Sequence, residues 1–308
     1  MSTVSPRTYE YETVGVFTDQ RFAGNPLAVF PAAEGLSTAE MQAIAAEFNL
    51  SETAFVLPPE DKRHHARVRI FTPRSELPFA GHPNVGTGFV LAQRSETPPE
   101  HFVFEEGAGI VRVHLLRNAD GQVDGARVAA PQSLQIGDEV PTETVAACAS
   151  LTVADIATTA HRPLVASVGT PFVIAELASH AALVRAAPNL AAFRDAAAAL
   201  AGPGLRFALH LYTWVEGEGG RHIAARMFGP LAGVMEDPAT GSANAALAAL
   251  LTALAPGDDV DLAYDIVQGV EMGRPSRLIG SARKTPEGPV LASIAGQCVA
   301  MMRGSITL

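Results

Sequence analysis

PFAGHPNVGTGFVLAQ (residues 78–93) and DPATGSANAALAALLTAL (residues 237–254) share one design. Each sets a tight glycine turn and a polar residue directly ahead of an uncharged, apolar helix. A helix that is apolar on every side has to be surrounded, so each half of the chain is expected to wrap a sheet around its own central helix. His82 and Asp237 stand about half the chain apart, the separation a duplicated fold gives.

The rest of the chain supplies strands. His65 to Phe71 and Ile110 to Leu116 alternate apolar with polar residues, the period-two pattern of half-buried strands. Further strands are expected at 11 to 17, 102 to 104, 126 to 130, 172 to 177, 206 to 213, 262 to 267 and 289 to 295. Ser37 to Phe48 reads as an amphipathic helix. Ser37 and Glu40 have capping-box spacing, and Met41, Ile44, Ala45 and Phe48 share a face. An alanine-rich helix is expected from Asn189 to Gly202. The mixture lacks regular βαβ alternation and points to an α+β fold. Two domains are expected, 1–127 completed by a terminal strand at about 298–308, and 128–297, with a boundary in the turn-rich stretch around Gly125 and Gly137.

Composition narrows the function. The 308 residues are 48% hydrophobic, enough for a sizeable core. A formal charge of −10 makes nucleic acid and anionic membrane poor partners. Cys148 and Cys298 are far apart without CxxC spacing, which fits a reducing, cytoplasmic setting and argues against a thiolate metal site. MSTVSPRTYE has no apolar core of a signal peptide, and these first residues are expected to be loosely held. Pro238 to Gly257 is uncharged over about the length of a membrane span, but its Pro and Gly boundaries leave a helix of three or four turns, suited to a core.

The two glycine turns are where chemistry is expected. A helix N-terminus offers backbone N–H groups and a positive dipole end to a carboxylate or a developing enolate oxygen. Pro83 suits the opening of the first helix, Gly81 allows close approach of backbone, and His82 is left at the mouth. Gly241 and Ser242 open the second. The plainer alternative, that His82 and Ser242 only cap core helices, stays open. Glu52, in NLSETAFVL, precedes an apolar, β-branched run. It reads either as a capping residue or as a carboxylate whose apolar neighbours suit it to act as a general base. Asp237 reads equally as a site carboxylate or as the cap of a polar turn. No phosphate loop is present, because Gly86-Thr87 stands where Lys-Ser/Thr is required. HExxH and GxSxG are absent, and His64-His65 fits a solvated turn better than a metal pair. No metal and no cofactor are expected. Trp214 fits core or pocket wall.

Five ordered blocks then carry a resemblance: AGNPLAVF at 23–30, NLSETAFVL at 49–57, RIFTPRSELPFAGHP at 69–83, RMFGPLAGVMEDPATGSA at 226–243 and VQGVEMGRPS at 267–276. The chain resembles the PhzF-like isomerases of phenazine biosynthesis, relatives in fold of diaminopimelate epimerase and proline racemase. The resemblance implies two lobes of the diaminopimelate epimerase type, each a mixed, largely antiparallel sheet curled around a central helix, with the active site in the cleft between them. It implies Glu52 as the residue that moves the proton within dihydro-hydroxyanthranilate or a related small carboxylate. His82, Asp237 and Ser242 would assist, and the amides of Gly81 and Gly241 would complete two anion sites. It also implies a homodimer. Asn84 departs from the threonine many relatives carry after GHP, so the substrate need not be the phenazine intermediate.

Racemases of this fold use a cysteine on each side of the substrate carbon. Here Ala80 or His82 stands where the first thiol would be, and Cys148 and Cys298 lie outside both turns. A single carboxylate reaches one face only, which favours a one-base shift. The remaining readings are an amino-acid or hydroxy-acid epimerase and a non-catalytic small-anion-binding protein, which would need only the glycine turns.

Overall fold

The structure is a computed structural model that describes residues 6–200, 207–217 and 220–308. The chain divides into two compact units, residues 1–128 with 296–308, and residues 129–295.

The first unit is built from β1 (Thr8–Val16), β2 (Asn25–Phe30), α1 (Thr38–Phe48), β3 (Glu52–Leu57), β4 (Ala66–Phe71), β5 (Glu76–Leu77), α2 (Gly81–Gln93), β6 (His101–Glu106), β7 (Gly109–Arg117) and β8 (Val123–Ala129). β1 pairs antiparallel with β2, β2 parallel with β3, β3 antiparallel with β4, and β4 antiparallel with β5 and parallel with β6. β6, β7 and β8 continue as an antiparallel meander. α2 packs against β1, β2, β3 and β7 and is buried from Gly81 through Val90. Its sequence explains the fit. An added Cβ at Gly86 would meet the Leu27 side chain at 2.5 Å, and one at Gly88 would meet Val113 at 2.7 Å, so the strands can lie this close only on bare glycine backbone.

α1 covers the other face. Ser37 and Glu40 form the reciprocal capping box, and the helix ends at Asn49 in the left-handed conformation (φ 50°), a position asparagine tolerates. Met41, Ile44 and Ala45 are buried against Phe30, Phe55 and Phe71. Phe30 stacks on Phe55 at 5.0 Å, and Phe71 meets Phe55 edge-on at 5.5 Å. Each such ring contributes roughly 1.5–3 kcal/mol by leaving water, so this cluster fixes the end of β3 where Glu52 begins.

The second unit contains β9 (Gln135–Glu139), α3 (Thr142–Cys148), β10 (Leu164–Ser167), β11 (Pro171–Glu176), α4 (His180–Arg185), α5 (Leu190–Ala199), β12 (Leu209–Val215), β13 (His222–Gly229), β14 (Val234–Asp237), α6 (Gly241–Leu254), β15 (Val260–Gln268), β16 (Ser276–Lys284) and the start of β17 (Leu291–Thr307). Its pairings repeat those of the first unit: β11 parallel with β12, β12 antiparallel with β13, and β13 antiparallel with β14 and parallel with β15, which runs antiparallel to β16. α6 packs against β10, β11, β15 and β16 and is buried along nearly its whole length. α3, α4 and α5 cover a separate core that includes Val145, Leu183, Phe193 and Phe228.

The expected helices are present, with α5 capped by Asn189; Gly202, the expected end of that helix, lies outside the described residues. So do residues 1–5 of the stretch expected to be loose, whereas Thr8 onward is already strand. The stretches expected as separate strands, 289 to 295 and about 298–308, form one continuous strand, β17, which after pairing with β16 goes on to pair with β1 as far as Thr307. Seven strands had no sequence expectation: β2, β5, β9, β10, β13, β14 and β16. β13 and β16 mix apolar with basic or small residues and show no clean alternation. Among the described residues no helix is long and apolar enough to cross a membrane.

Candidate functional site

In the first unit, Glu52 opens β3, and the strap from Leu77 through Ala80 delivers the chain into α2. His82 Nε2 lies 3.2 Å from Glu52 Oε2, with side-chain exposures of 6% and 17%. Burial pushes the His82 imidazole down to about 3, so at neutral pH the ring is uncharged. Glu52 therefore faces a neutral ring. In the Nε2–H tautomer this ring can orient the carboxylate without supplying a charge that would quench its basicity.

α2 begins at Gly81 behind Ala80, and no side chain caps it. His82 is the second helical residue, so it does not serve as the cap. Pro83 is the third helical residue rather than the first, still inside the turn where a missing N–H costs no helical bond. The amides of Gly81 and His82, at the positive end of the dipole, sit beside the Glu52–His82 pair. Asn84 is fully buried, and its Nδ2 donates to the Ala80 carbonyl at 3.0 Å. It braces the turn. Glu52 lies outside α1, which ends at Asn49, and opens β3.

In the second unit the same design recurs with different polar groups. Asp237 ends β14 and is 7% exposed. Its Oδ2 accepts from Thr240 Oγ1 at 2.6 Å, so Asp237 does hold the turn, the plainer of its two readings. Gly241 and Ser242 are the first residues of α6, again without a side-chain cap, and Ser242 is half-buried. Asn244 occupies the place of Asn84. Its Nδ2 donates to the Thr240 carbonyl at 3.0 Å and to Gln268 Oε1 at 2.7 Å, and its Oδ1 lies 3.1 Å from His210 Nε2. Burial pushes His210 down to about 4, which leaves a neutral ring and makes Nε2–H the donor, since an amide oxygen only accepts.

Sequence reasoning missed two contributors here. Gln268 ties Asp237 and Thr240 together; it lies inside the VQGVEMGRPS block and ends β15 in phase with the buried Tyr264 and Ile266. Arg226, 6% exposed, is bidentate to Glu236 at 2.7 and 2.8 Å and donates to the carbonyls of Leu183 and Ala186. It anchors the strand that carries Asp237.

Burial holds Cys148 up at about 11 and raises Cys298 further, so neither is a thiolate near neutrality. Cys148 is in the second unit's helical core and Cys298 in β17. Neither can act as a proton-abstracting thiolate. His64 bonds Glu105 at 2.8 Å, and His65 Nδ1 accepts from the Val103 amide. Among the described residues, no group of three or more His, Cys, Asp or Glu side chains could hold a metal ion. Trp214 is not a core residue; it is 40% exposed and packs edge-on to Tyr212.

A family model described as phenazine biosynthesis-like protein matches residues 14–304. The chain belongs to the PhzC-PhzF family. It is 40% identical to an uncharacterised isomerase of Mesorhizobium japonicum, over 97% of this chain and 99% of that protein. It is 35% identical to the trans-2,3-dihydro-3-hydroxyanthranilate isomerase of Pseudomonas aeruginosa, over 96% and 98% of the two chains. The crystal structure of a PhzF-family phenazine biosynthesis protein from Bacillus anthracis superposes with a TM-score of 0.85 at 25% identity, covering 98% of this chain and all of that one. This family member is an isomerase of the proton-shift type.

Proposed function

We propose that this PhzF-like isomerase shifts a proton between two carbons of a small cyclic carboxylate, trans-2,3-dihydro-3-hydroxyanthranilate or a close relative, with Glu52 as the single general base. The observation that carries the reading is the Glu52–His82 pair, 3.2 Å apart, at the uncapped start of α2. Glu52 takes the proton and returns it to a second carbon on the same face, since one carboxylate serves one face. The Gly81 and His82 amides receive the substrate carboxylate or the oxygen on which charge develops, where fixed dipoles stabilise the transition state without reorganising. His82 orients Glu52, and Asn84 keeps the turn in shape. Asp237, Ser242 and the Gly241 amide form the corresponding turn of the second unit, suited to hold an amino group and an anionic centre. Relatives named for the anthranilate isomerase support this substrate class, and Asn84 is the position at which this chain's preference is expected to differ.

The test is turnover of trans-2,3-dihydro-3-hydroxyanthranilate, with proline, hydroxyproline and diaminopimelate as competitors, before and after prolonged dialysis against a chelator. Turnover of the cyclic dihydro substrate, unchanged by the chelator, is expected, because the proposed chemistry uses only side chains and backbone amides. Epimerisation of an amino acid in its place, or activity that returns only with a divalent ion, would refute the reading.

A further inference from the structure

The shared pairing pattern lets residues of the two units be matched by register. Ile70 pairs with Leu77 as Met227 pairs with Asp237. Arg67 pairs with Glu105 as Ala224 pairs with Val267. The next residue along is Glu106 in β6 and Gln268 in β15. Each is followed by a glycine packed on the proline of the helix-leading turn: a Cβ on Gly107 would come within 3.0 Å of Pro78, and one on Gly269 within 2.5 Å of Pro238. Glu106 therefore stands where Gln268 stands.

Gln268 is a bracket. Its Oε1 accepts from the Thr240 amide at 3.2 Å and from Asn244 Nδ2 at 2.7 Å, while its Nε2 donates to the Asp237 carbonyl at 2.7 Å and to Thr240 Oγ1 at 3.2 Å. In the first unit Asn84 holds the place of Asn244 and bonds Ala80 in the same way, at 3.0 Å. Yet both Glu106 carboxyl oxygens and Asn84 Oδ1 are buried without a hydrogen bond of ordinary geometry. The donor that serves Asn244 has no counterpart, since the residue registered with His210 is Ala54. Three buried acceptor atoms around one turn, with only the Asn84 side chain to offset the burial of Glu106, is a costly arrangement for an ionised acid.

We propose that Glu106 works as a neutral carboxylic acid, taking the part of Gln268 as the bracket of the α2 turn and so positioning Gly81 and His82. A protonated carboxyl has one oxygen that accepts and one O–H that donates, the polarity pattern of a primary amide. Ionised, it has no donor and sets a buried negative charge beside the helix start that is to receive an anion. Burial pushes the Glu106 carboxyl up to about 8, while the Asn84 side chain pulls the other way. The charged groups on the neighbouring elements are engaged elsewhere. Arg67 and Arg69 of β4 pair with Glu60 and Glu76, both at 2.6 Å, and Glu105 of β6 takes His64 and the Glu60 and Asp61 amides. Glu52 of β3 faces His82, which stays neutral. What the turn is for rests on the proposed isomerase site; the bracket itself can be tested without substrate.

The experiment is thermal unfolding of the full chain, Glu106→Gln and Glu106→Ala from pH 5 to 8. A carboxyl held above its ordinary value of 4.5 gives stability that is full below that value and is lost as pH rises through the folded value. Glutamine keeps the donor at every pH. Relative to the unsubstituted chain, Glu106→Gln is expected to gain about 5 °C or more between pH 5 and pH 8. Glu106→Ala, which lacks the bracket, should melt below Glu106→Gln throughout. A difference between Glu106→Gln and the unsubstituted chain that stays flat over this range, or glutamine as damaging as alanine, would overturn the proposal. Because no substrate enters, that failure would be separate from any failure of the isomerase reading.

Discussion

Glu52→Gln is expected to lower kcat by roughly 10²- to 10⁴-fold while substrate-analogue binding stays within about tenfold. The amide preserves the shape beside His82 and keeps the 3.2 Å neighbour, but it cannot accept a proton. Steady-state kinetics with the turned-over substrate, paired with calorimetric titration of an unreactive analogue, checks both halves of the expectation. A variant that keeps near-normal kcat would remove Glu52 as the base. Equal losses in kcat and in binding would recast it as a binding group.

The second large effect concerns stability. Arg226→Ala is expected to cost about 3–5 kcal/mol and to lower the melting temperature by roughly 10 °C. The guanidinium is buried, forms two bonds to Glu236 and donates to the Leu183 and Ala186 carbonyls. Its removal strands a largely covered carboxylate and buried carbonyls, and each carries its own desolvation cost. Arg226→Lys should recover little, since an ammonium cannot hold the fork and the carbonyls together. Chemical denaturation of the three proteins measures this directly, and a loss under about 1 kcal/mol would show that the network is dispensable.

The parts of the fold legible in the sequence were those set by local chemistry. The Ser37–Glu40 capping box and the Met41, Ile44 and Ala45 stripe define α1, and the uncharged, glycine-led segments mark α2 and α6, which are buried nearly throughout. Period-two alternation marked β4 and β7 because one face of each is half-exposed. β13 escaped because it is buried on nearly every residue after Ala224, and a strand without a wet face has no alternation to read. β17 was divided in two because no clean alternation runs through it: Gln297 to Thr307 mixes apolar with polar residues and is partly exposed, and its partner β1 lies almost the whole chain away. Strand pairing across that separation is a tertiary fact.

At the site, the residue types were legible and their networks were not. Glu52 and His82 could be singled out from their motifs, but that burial makes His82 neutral follows only from the packing around α2. Gln268 and Glu106 are the last residues of β15 and β6, each in phase with the buried residues of its strand, Tyr264 and Ile266 in one and Phe102 and Phe104 in the other. Only register shows that they take the same place, and only the packing separates an amide with four bonds from a carboxyl whose buried oxygens have no hydrogen bond of ordinary geometry.

The central claim is that one carboxylate moves a proton from carbon to carbon on a single face, and turnover in heavy water tests it most directly. The product, resolved by NMR and mass spectrometry, should be a positional isomer whose acceptor carbon carries the original hydrogen in part and solvent deuterium in the remainder, as expected for a base shielded from bulk water. A product with its double bond unmoved, its configuration inverted and deuterium at the same carbon would contradict the claim, because inversion needs a second base on the opposite face.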